Sequence, residues 1–274
     1  MPSEYYWPIC SVWQTKPTKH SETVMGYLLA VIRTIALALI YSIFGLIGLG
    51  LFLIFYSSQQ VHYRGIVYFT RLWAQCSCSL LNIRINRIGR LKVYPGSLIV
   101  ANHVGTPDIF VMGSCFPAFF VSKAEISRWP FMNWLARLGA TIFVDRNQRQ
   151  QVRFTVNQII HRLKAGCSVI LFPEAQATDG TNILPFKSSH FEAAIETGQP
   201  VVPVMIHYHD KNSPSIACWY KITFLTHIIR LLKCQRLDVT VEVLSSFQQE
   251  PDRRILARKC HNAILEKYPT LVSH

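Results

Sequence analysis

The stretch with the clearest chemical potential is Asn102-His103-Val104-Gly105-Thr106-Pro107-Asp108, which directly follows the apolar run Ser97-Leu98-Ile99-Val100-Ala101. A strand ending in a polar turn with one imidazole and one carboxylate is a place for general-base chemistry. Histidine is the side chain whose unperturbed pKa lies nearest neutrality. A carboxylate on its second nitrogen would fix the tautomer and stabilise the imidazolium formed on proton uptake. The stretch holds no Ser or Cys, so the group activated would be a hydroxyl on the substrate. The plainer reading is a turn that caps a helix.

The elements that would position these residues alternate along the chain. Short β-like runs cover 97–101, 118–122, 140–144, 168–172, 201–207, 218–223 and 238–244, and helical stretches cover 66–81, 130–138, 148–165, 189–197 and 252–267. Val152, Val156, Ile159, Ile160 and Leu163 follow helical spacing, and Gly166 closes that helix before the next run. Such alternation predicts an α/β fold, a mixed sheet flanked by helices. Sites in such sheets gather at the carboxyl ends of strands. His103, Asp145-Arg146 and Glu174 each fall just after a run, so one crevice would collect them.

Composition narrows the setting. Half of the 274 residues are hydrophobic, yet the formal net charge is +13. Mean hydropathy is +0.21. Basic and apolar together point to an anionic membrane surface rather than nucleic acid, because no basic tract carries interleaved aromatics. From Thr34 to Tyr56 the chain runs for about 23 residues without a charge, enough to span a hydrocarbon core or to form a deep re-entrant anchor. Tyr5, Tyr6, Trp7 and Trp13 upstream have an interfacial character. The expected organisation is an interfacial segment (1–25), a membrane anchor (26–62) and a catalytic-sized domain (63–274). Cations after the span (Arg64, Arg71, Arg84, Arg87, Arg90, Lys92) outnumber those before it (Lys16, Lys19, Arg33). This favours a cytosol-facing domain on the inner, cytoplasmic membrane. The eight cysteines form no CxxC pair and no zinc-type spacing with His, and read as reduced structural residues. His207 and His209 alternate on one run but have no evident third ligand, so no metal is expected.

Four blocks occur in order: Asn102–Asp108, Gly139-Ala140-Thr141-Ile142-Phe143-Val144-Asp145-Arg146, Phe172-Pro173-Glu174-Ala175-Gln176-Ala177, and Val201-Val202-Pro203-Val204. Their order and spacing resemble the glycerophospholipid acyltransferase family, the 1-acyl-sn-glycerol-3-phosphate acyltransferase type, over roughly residues 70 to 225. The resemblance implies a membrane-bound O-acyltransferase acting on a lysolipid. His103 would be the general base and Asp108 its orienting partner. Arg146 would bind a phosphate or other anionic group of the acceptor, or else pair with Asp145 at the surface. Glu174 would shape the acceptor site, and Pro203 would lie at an apolar wall near the acyl chain. Lys123 and Lys187 would attract the anionic donor or acceptor. The donor would be acyl-coenzyme A or an acylated carrier protein, attacked directly, with no further cofactor. The oxyanion would be met by donors such as backbone N–H groups near the His103 turn.

The third block departs from the family pattern. Glu-Gly-Thr followed by Arg is common there, and here the chain has Glu174-Ala175-Gln176-Ala177. A glycine matters if that position needs positive φ, and a lost arginine weakens a phosphate clamp. Thr178-Asp179-Gly180 and Leu184-Pro185-Phe186-Lys187-Ser188-Ser189 instead resemble a bacterial subgroup that includes lyso-ornithine lipid acyltransferases. Three acceptor readings therefore stand: 1-acyl-sn-glycerol-3-phosphate giving phosphatidic acid, lyso-ornithine lipid or another lysophospholipid, and no turnover at all in a lipid-binding protein. A hydrolase is disfavoured, because no G-x-S-x-G elbow is present.

Overall fold

The computed structural model describes residues 24–54, 59–89, 94–124, 136–144, 149–209, 215–248 and 250–268. Helix α1 (Val24–Ile54) has 31 residues and α2 (Gln59–Leu80) has 22. They run antiparallel, as the contacts of Gly48 with Phe69, Tyr41 with Trp73 and Arg33 with Leu80 show. α1 is long and apolar enough to cross a membrane, and its outward side chains, Leu28, Ile32, Ile35 and Leu39 among them, are exposed. It begins ten residues before the uncharged run and passes through Arg33. Arg33 is only 4% exposed. Its guanidinium donates to the carbonyls of Leu80 (3.1 Å), Leu232 (3.0 Å) and Cys234. Helix-end carbonyls lack intrahelical donors and carry negative partial charge, so the cation is satisfied without an acid. The expected anchor boundary at 62/63 falls inside α2, and of the expected interfacial segment residues 1–23 lie outside the described residues while Val24 and Met25 open α1.

The sheet order is β1-β7-β6-β2-β5-β3-β4, from β1 (Ile83–Ile88), β2 (Leu98–Ala101), β3 (Ala118–Lys123), β4 (Ile142–Val144), β5 (Ser168–Leu171), β6 (Val201–Tyr208) and β7 (Leu237–Val243). Every pairing is parallel except β6 with β7, so the sheet is mixed, as expected. Its central strands are buried on both faces, with β2 and β5 buried at every position. Alternate residues of β2 feed two cores. Ile99 and Ala101 join one with α2, α3 (Pro107–Cys115) and α6 (Phe224–Lys233). Leu98 and Val100 join the other with α4 (Arg149–Lys164) and α7 (Arg253–Lys267). A 3-10 turn (Ser189–Phe191) leads into α5 (Glu192–Thr197).

The segment 218–223, expected as a strand, is irregular, with bends at 220–222. Lys221 has φ +54°, which breaks an extended run, and the Trp219 N–H bonds Val104 O rather than a neighbouring strand. Edge strand β1, with Arg84 and Arg87 along it, is missed by an apolar-run reading, as are α3 and α6.

Candidate active site

Parallel strands put their carboxyl ends on one edge, and the four blocks meet there. β2 ends at Ala101, where the Asn102 amide clamps the chain to β6. Its Nδ2 donates to Ile206 O (2.9 Å) and its Oδ1 accepts from Ile206 N (2.8 Å). The chain then turns into α3, with Pro107 at its first position, where a missing N–H costs nothing. Gly105 is required sterically. A Cβ there would sit 2.1 Å from Ala217 O.

The Asp108 side chain folds back from the first turn of α3 over this turn. Its Oδ2 accepts from His103 Nδ1 (2.7 Å), Val104 N (2.7 Å) and Gly105 N (3.0 Å), and its Oδ1 accepts from Tyr208 OH (2.6 Å). Asp108 is fully buried. Four donors and the positive end of α3 hold its charge without a lysine or arginine partner. Because two backbone N–H groups also converge on Oδ2, that oxygen stays an acceptor and His103 Nδ1 is its donor. Nε2 is then the basic nitrogen. The His103 side chain is 22% exposed and its ring stacks on Phe172, centroids 4.5 Å apart at 23°. The imidazole is thus held by a bond at one nitrogen and a ring against one face.

Glu174 carries a second set of bonds. Its Oε1 accepts from His103 N and its Oε2 from Leu184 N, both at 2.7 Å. Burial pushes its pKa up to about 7, the nearby Asp108 charge adds to this, and the two N–H donors pull the other way. Thr178 N and Oγ1 donate to His103 O. The N–H groups of His103, Val104 and Gly105 are therefore engaged by Glu174 and Asp108, so an oxyanion at this turn would need donors other than these three. Ala175 adopts φ +70°, so the position does require the backbone that glycine takes freely.

A cavity of about 570 Å³ opens beside His103. Its walls come from α1 (Tyr41, Phe44, Gly45), α2 (Phe69, Trp73), β3 (Phe120 to Lys123), residues 136–141, the third block (Phe172, Ala175, Gln176, Ala177) and the 219–224 segment. Most of this lining is apolar, with Lys123 and Lys221 as its cations. Volume and character suit a lipid-sized ligand.

The structure thus brings His103, Asp108, Glu174 and Lys123 to one edge. Lys187 is exposed and outside the cavity lining, although its N–H bonds Pro173 O. Pro203 is buried within β6 opposite Val100 and does not line the cavity, because its side chain is enclosed by the sheet's packing. Arg146, with Asp145, lies outside the described residues. His209 Nε2 bonds Thr240 Oγ1 at 2.7 Å, and no group of three metal-ligating side chains occurs among the described residues. Sequence reasoning missed Tyr208, whose hydroxyl holds the second Asp108 oxygen from four residues past the β2–β6 pairing. It also missed His227, buried under the 102–108 turn with Nε2 3.1 Å from Thr106 Oγ1. Burial lowers the His227 pKa to about 4, so that ring stays neutral. Neither contact has a local signal in the sequence.

A His–Asp pair at the carboxyl edge of a mixed sheet, facing an apolar cavity under an apolar helix, defines the class, and comparison with known proteins agrees. A family model described as Acyltransferase matches residues 82–207. The chain belongs to the acyltransferase family. It is 32% identical over 196 residues to a lyso-ornithine lipid O-acyltransferase of Rhodobacter capsulatus, covering 68% of this chain and 70% of that protein. It is 30% identical over 173 residues to a 1-acyl-sn-glycerol-3-phosphate acyltransferase of Neisseria gonorrhoeae, covering 62% and 68%. The crystal structure of the 1-acyl-sn-glycerophosphate (LPA) acyltransferase of Thermotoga maritima shares the fold at a TM-score of 0.67 and 16% identity, over 91% of this chain and 98% of that one.

Proposed function

We propose that this chain transfers a fatty acyl group from a thioester donor, acyl-coenzyme A or acylated carrier protein, to the free hydroxyl of a lysolipid at an anionic membrane surface. The observation that carries the reading is the His103–Asp108 pair, with Nδ1 bound to the carboxylate and Nε2 left as base beside an apolar cavity. His103 Nε2 takes the proton of the acceptor hydroxyl as its oxygen attacks the thioester carbonyl. The tetrahedral intermediate expels the thiolate, which recovers the proton, and an ester remains. Asp108 stabilises the transient imidazolium. Glu174 holds the turn through His103 N, and Lys123 and Lys221 supply positive charge for an anionic substrate group.

The acceptor is 1-acyl-sn-glycerol-3-phosphate in the first reading, with phosphatidic acid as product. One observation favours lyso-ornithine lipid instead: the third-block wall is the uncharged Ala175, Gln176 and Ala177, with no arginine to clamp a phosphomonoester. We place the domain on the cytosolic side of the inner membrane, held by α1. The charge excess after the apolar run supports this.

The test is thiol release by the detergent-purified protein given long-chain acyl-coenzyme A, with each acceptor supplied separately and His103→Ala as control. Release is expected with at least one acceptor, falling on the order of a hundredfold or more in the variant, while membrane association is unchanged. Near-normal turnover in His103→Ala would sink the mechanism. Silence with both acceptors, repeated with acyl carrier protein, would favour a lipid-binding protein without catalysis.

A further inference from the structure

Helix α6, Phe224-Leu225-Thr226-His227-Ile228-Ile229-Arg230-Leu231-Leu232-Lys233, is amphipathic in an unusual sense. His227, Leu231 and Leu232 are buried, and Ile228 packs on the core. Its apolar arc is wider than the core covers. At the flank of that arc, where water would favour polar residues, lie Leu225, 68% exposed, and one turn later Ile229, 39% exposed, with Thr226 and Lys233 beyond them.

This strip adjoins α1. Lys233 Nζ lies 3.6 Å from the ring centroid of Tyr27. Arg33 of α1 binds the carbonyls of Leu232 and Cys234 at the end of α6. At the other end, Phe224 shares the cavity wall with Tyr41, Phe44 and Gly45. α6 therefore runs antiparallel beside the first half of α1, and its exposed leucine and isoleucine extend the apolar surface of Tyr27, Leu28, Val31 and Ile35. Residues 211–237 contain Lys211, Lys221, Arg230, Lys233 and Arg236 and not one acid. An apolar strip bordered by cations is the composition of a helix lying in a headgroup plane.

We propose that α6 is a second membrane-contact element, seated in the interface of an anionic bilayer with Leu225 and Ile229 against the acyl boundary and Arg230 and Lys233 among the headgroups. The proposal builds on the membrane anchor assigned to α1. It has a functional corollary. The 219–224 segment links α6 to the catalytic turn through Trp219 N and Val104 O and forms one cavity wall, so seating α6 brings the cavity mouth to the lipid.

The test uses the full chain in vesicles of phosphatidylcholine and phosphatidylglycerol carrying an alkyne-tagged lipid. p-Benzoyl-phenylalanine is placed in turn at positions 225, 229, 35 (on α1) and 258 (exposed on α7, on the other sheet face). Lipid adducts at 225 and 229 but not at 258 are expected. Labelling at 225 and 229 no stronger than at 258, or chain-to-chain adducts in its place, overturns the proposal. Position 35 reports separately on the anchor: adducts there alone would leave the anchor standing and refute the role of α6. In a second arm, Leu225→Glu with Ile229→Glu should slow transfer to a vesicle-borne acceptor about tenfold and leave transfer to a micellar acceptor unchanged. Equal rates for variant and parent on vesicles would overturn the proposal.

Discussion

Replacing Asp108 by Asn separates the charge of this residue from its hydrogen bonds. Three N–H groups converge on Oδ2 and a hydroxyl meets Oδ1. An amide can satisfy this set in one orientation only. Its oxygen must take the Oδ2 position, because its NH2 there would face Val104 N and Gly105 N. The NH2 then meets Tyr208 Oη, which can accept by turning its own hydrogen. His103 Nδ1 remains the donor, so the productive tautomer survives. What disappears is the negative charge facing the imidazolium. A charge-assisted bond is roughly twice as strong as a neutral one, a difference of about 1–1.5 kcal/mol. At about 1.36 kcal/mol per decade this is on the order of tenfold in kcat, with KM nearly unchanged. An amide that turned its NH2 to His103 would force the wrong tautomer and cost about 10⁴. Asp108→Ala leaves four buried donors without an acceptor, at about 1–3 kcal/mol each, comparable with a whole domain's stability, and should not yield folded protein. The assay is steady-state thiol release with kcat and KM resolved, alongside thermal melting. Asp108→Asn within about twofold of the parent would show that the charge is not used, and a loss of about a hundredfold or more, matching His103→Ala, would show that the amide orientation argued above is wrong.

Two further outcomes follow from the third block. Ala175 at φ +70° carries roughly 1–2 kcal/mol of left-handed strain, of which Ala175→Gly relieves most, less about 0.4–1 kcal/mol of added unfolded-state entropy. The variant should melt a few degrees higher (~2–4 °C per kcal/mol at this size) with activity retained, and a lower melting temperature would contradict the strain. Glu174 has its pKa raised from 4.5 to about 7, first by burial and next by Asp108. A raised acid contributes stability below its unfolded value and loses it as pH rises through the folded one. Melting temperatures of the parent and Glu174→Gln, taken from pH 5 to 8, should show the parent's lead shrinking up to about pH 7.5. A pH-independent difference would refute the assignment of the titration to this residue.

Much of the scaffold was legible in the residues. The runs at 97–101, 168–172 and 201–207 became β2, β5 and β6, since near-continuous apolar stretches are what strands buried on both faces demand. The 149–164 helix was marked by its periodicity and by Gly166 at φ +74°. The segment 218–223 has strand-like composition too, but strand formation needs a neighbour, and the neighbour it met was the turn at 102–108. Helix α6 has helical apolar spacing of its own, at Leu225, Ile228, Ile229 and Leu232, but it is only ten residues long, and so short an apolar run is ambiguous between strand and helix.

His103, Asp108 and Glu174 were identifiable from type and spacing because they sit on the turns that strand ends dictate, and strand ends are local. The family pattern left open whether position 175 needs a glycine-like backbone, and the structure answers with φ +70° at Ala175. The rest depended on assembly. Tyr208 reaches Asp108 across the sheet, Phe172 stacks on His103 from another strand, and the turn's own N–H groups are consumed by Glu174 and Asp108. Arg33 binds carbonyls roughly 50 and 200 residues away, and the cavity draws its walls from helices at the start of the chain and a loop near its end. Side-chain type and short-range spacing are properties of neighbouring residues, whereas donor pairing, burial and enclosure arise only when distant segments share one volume.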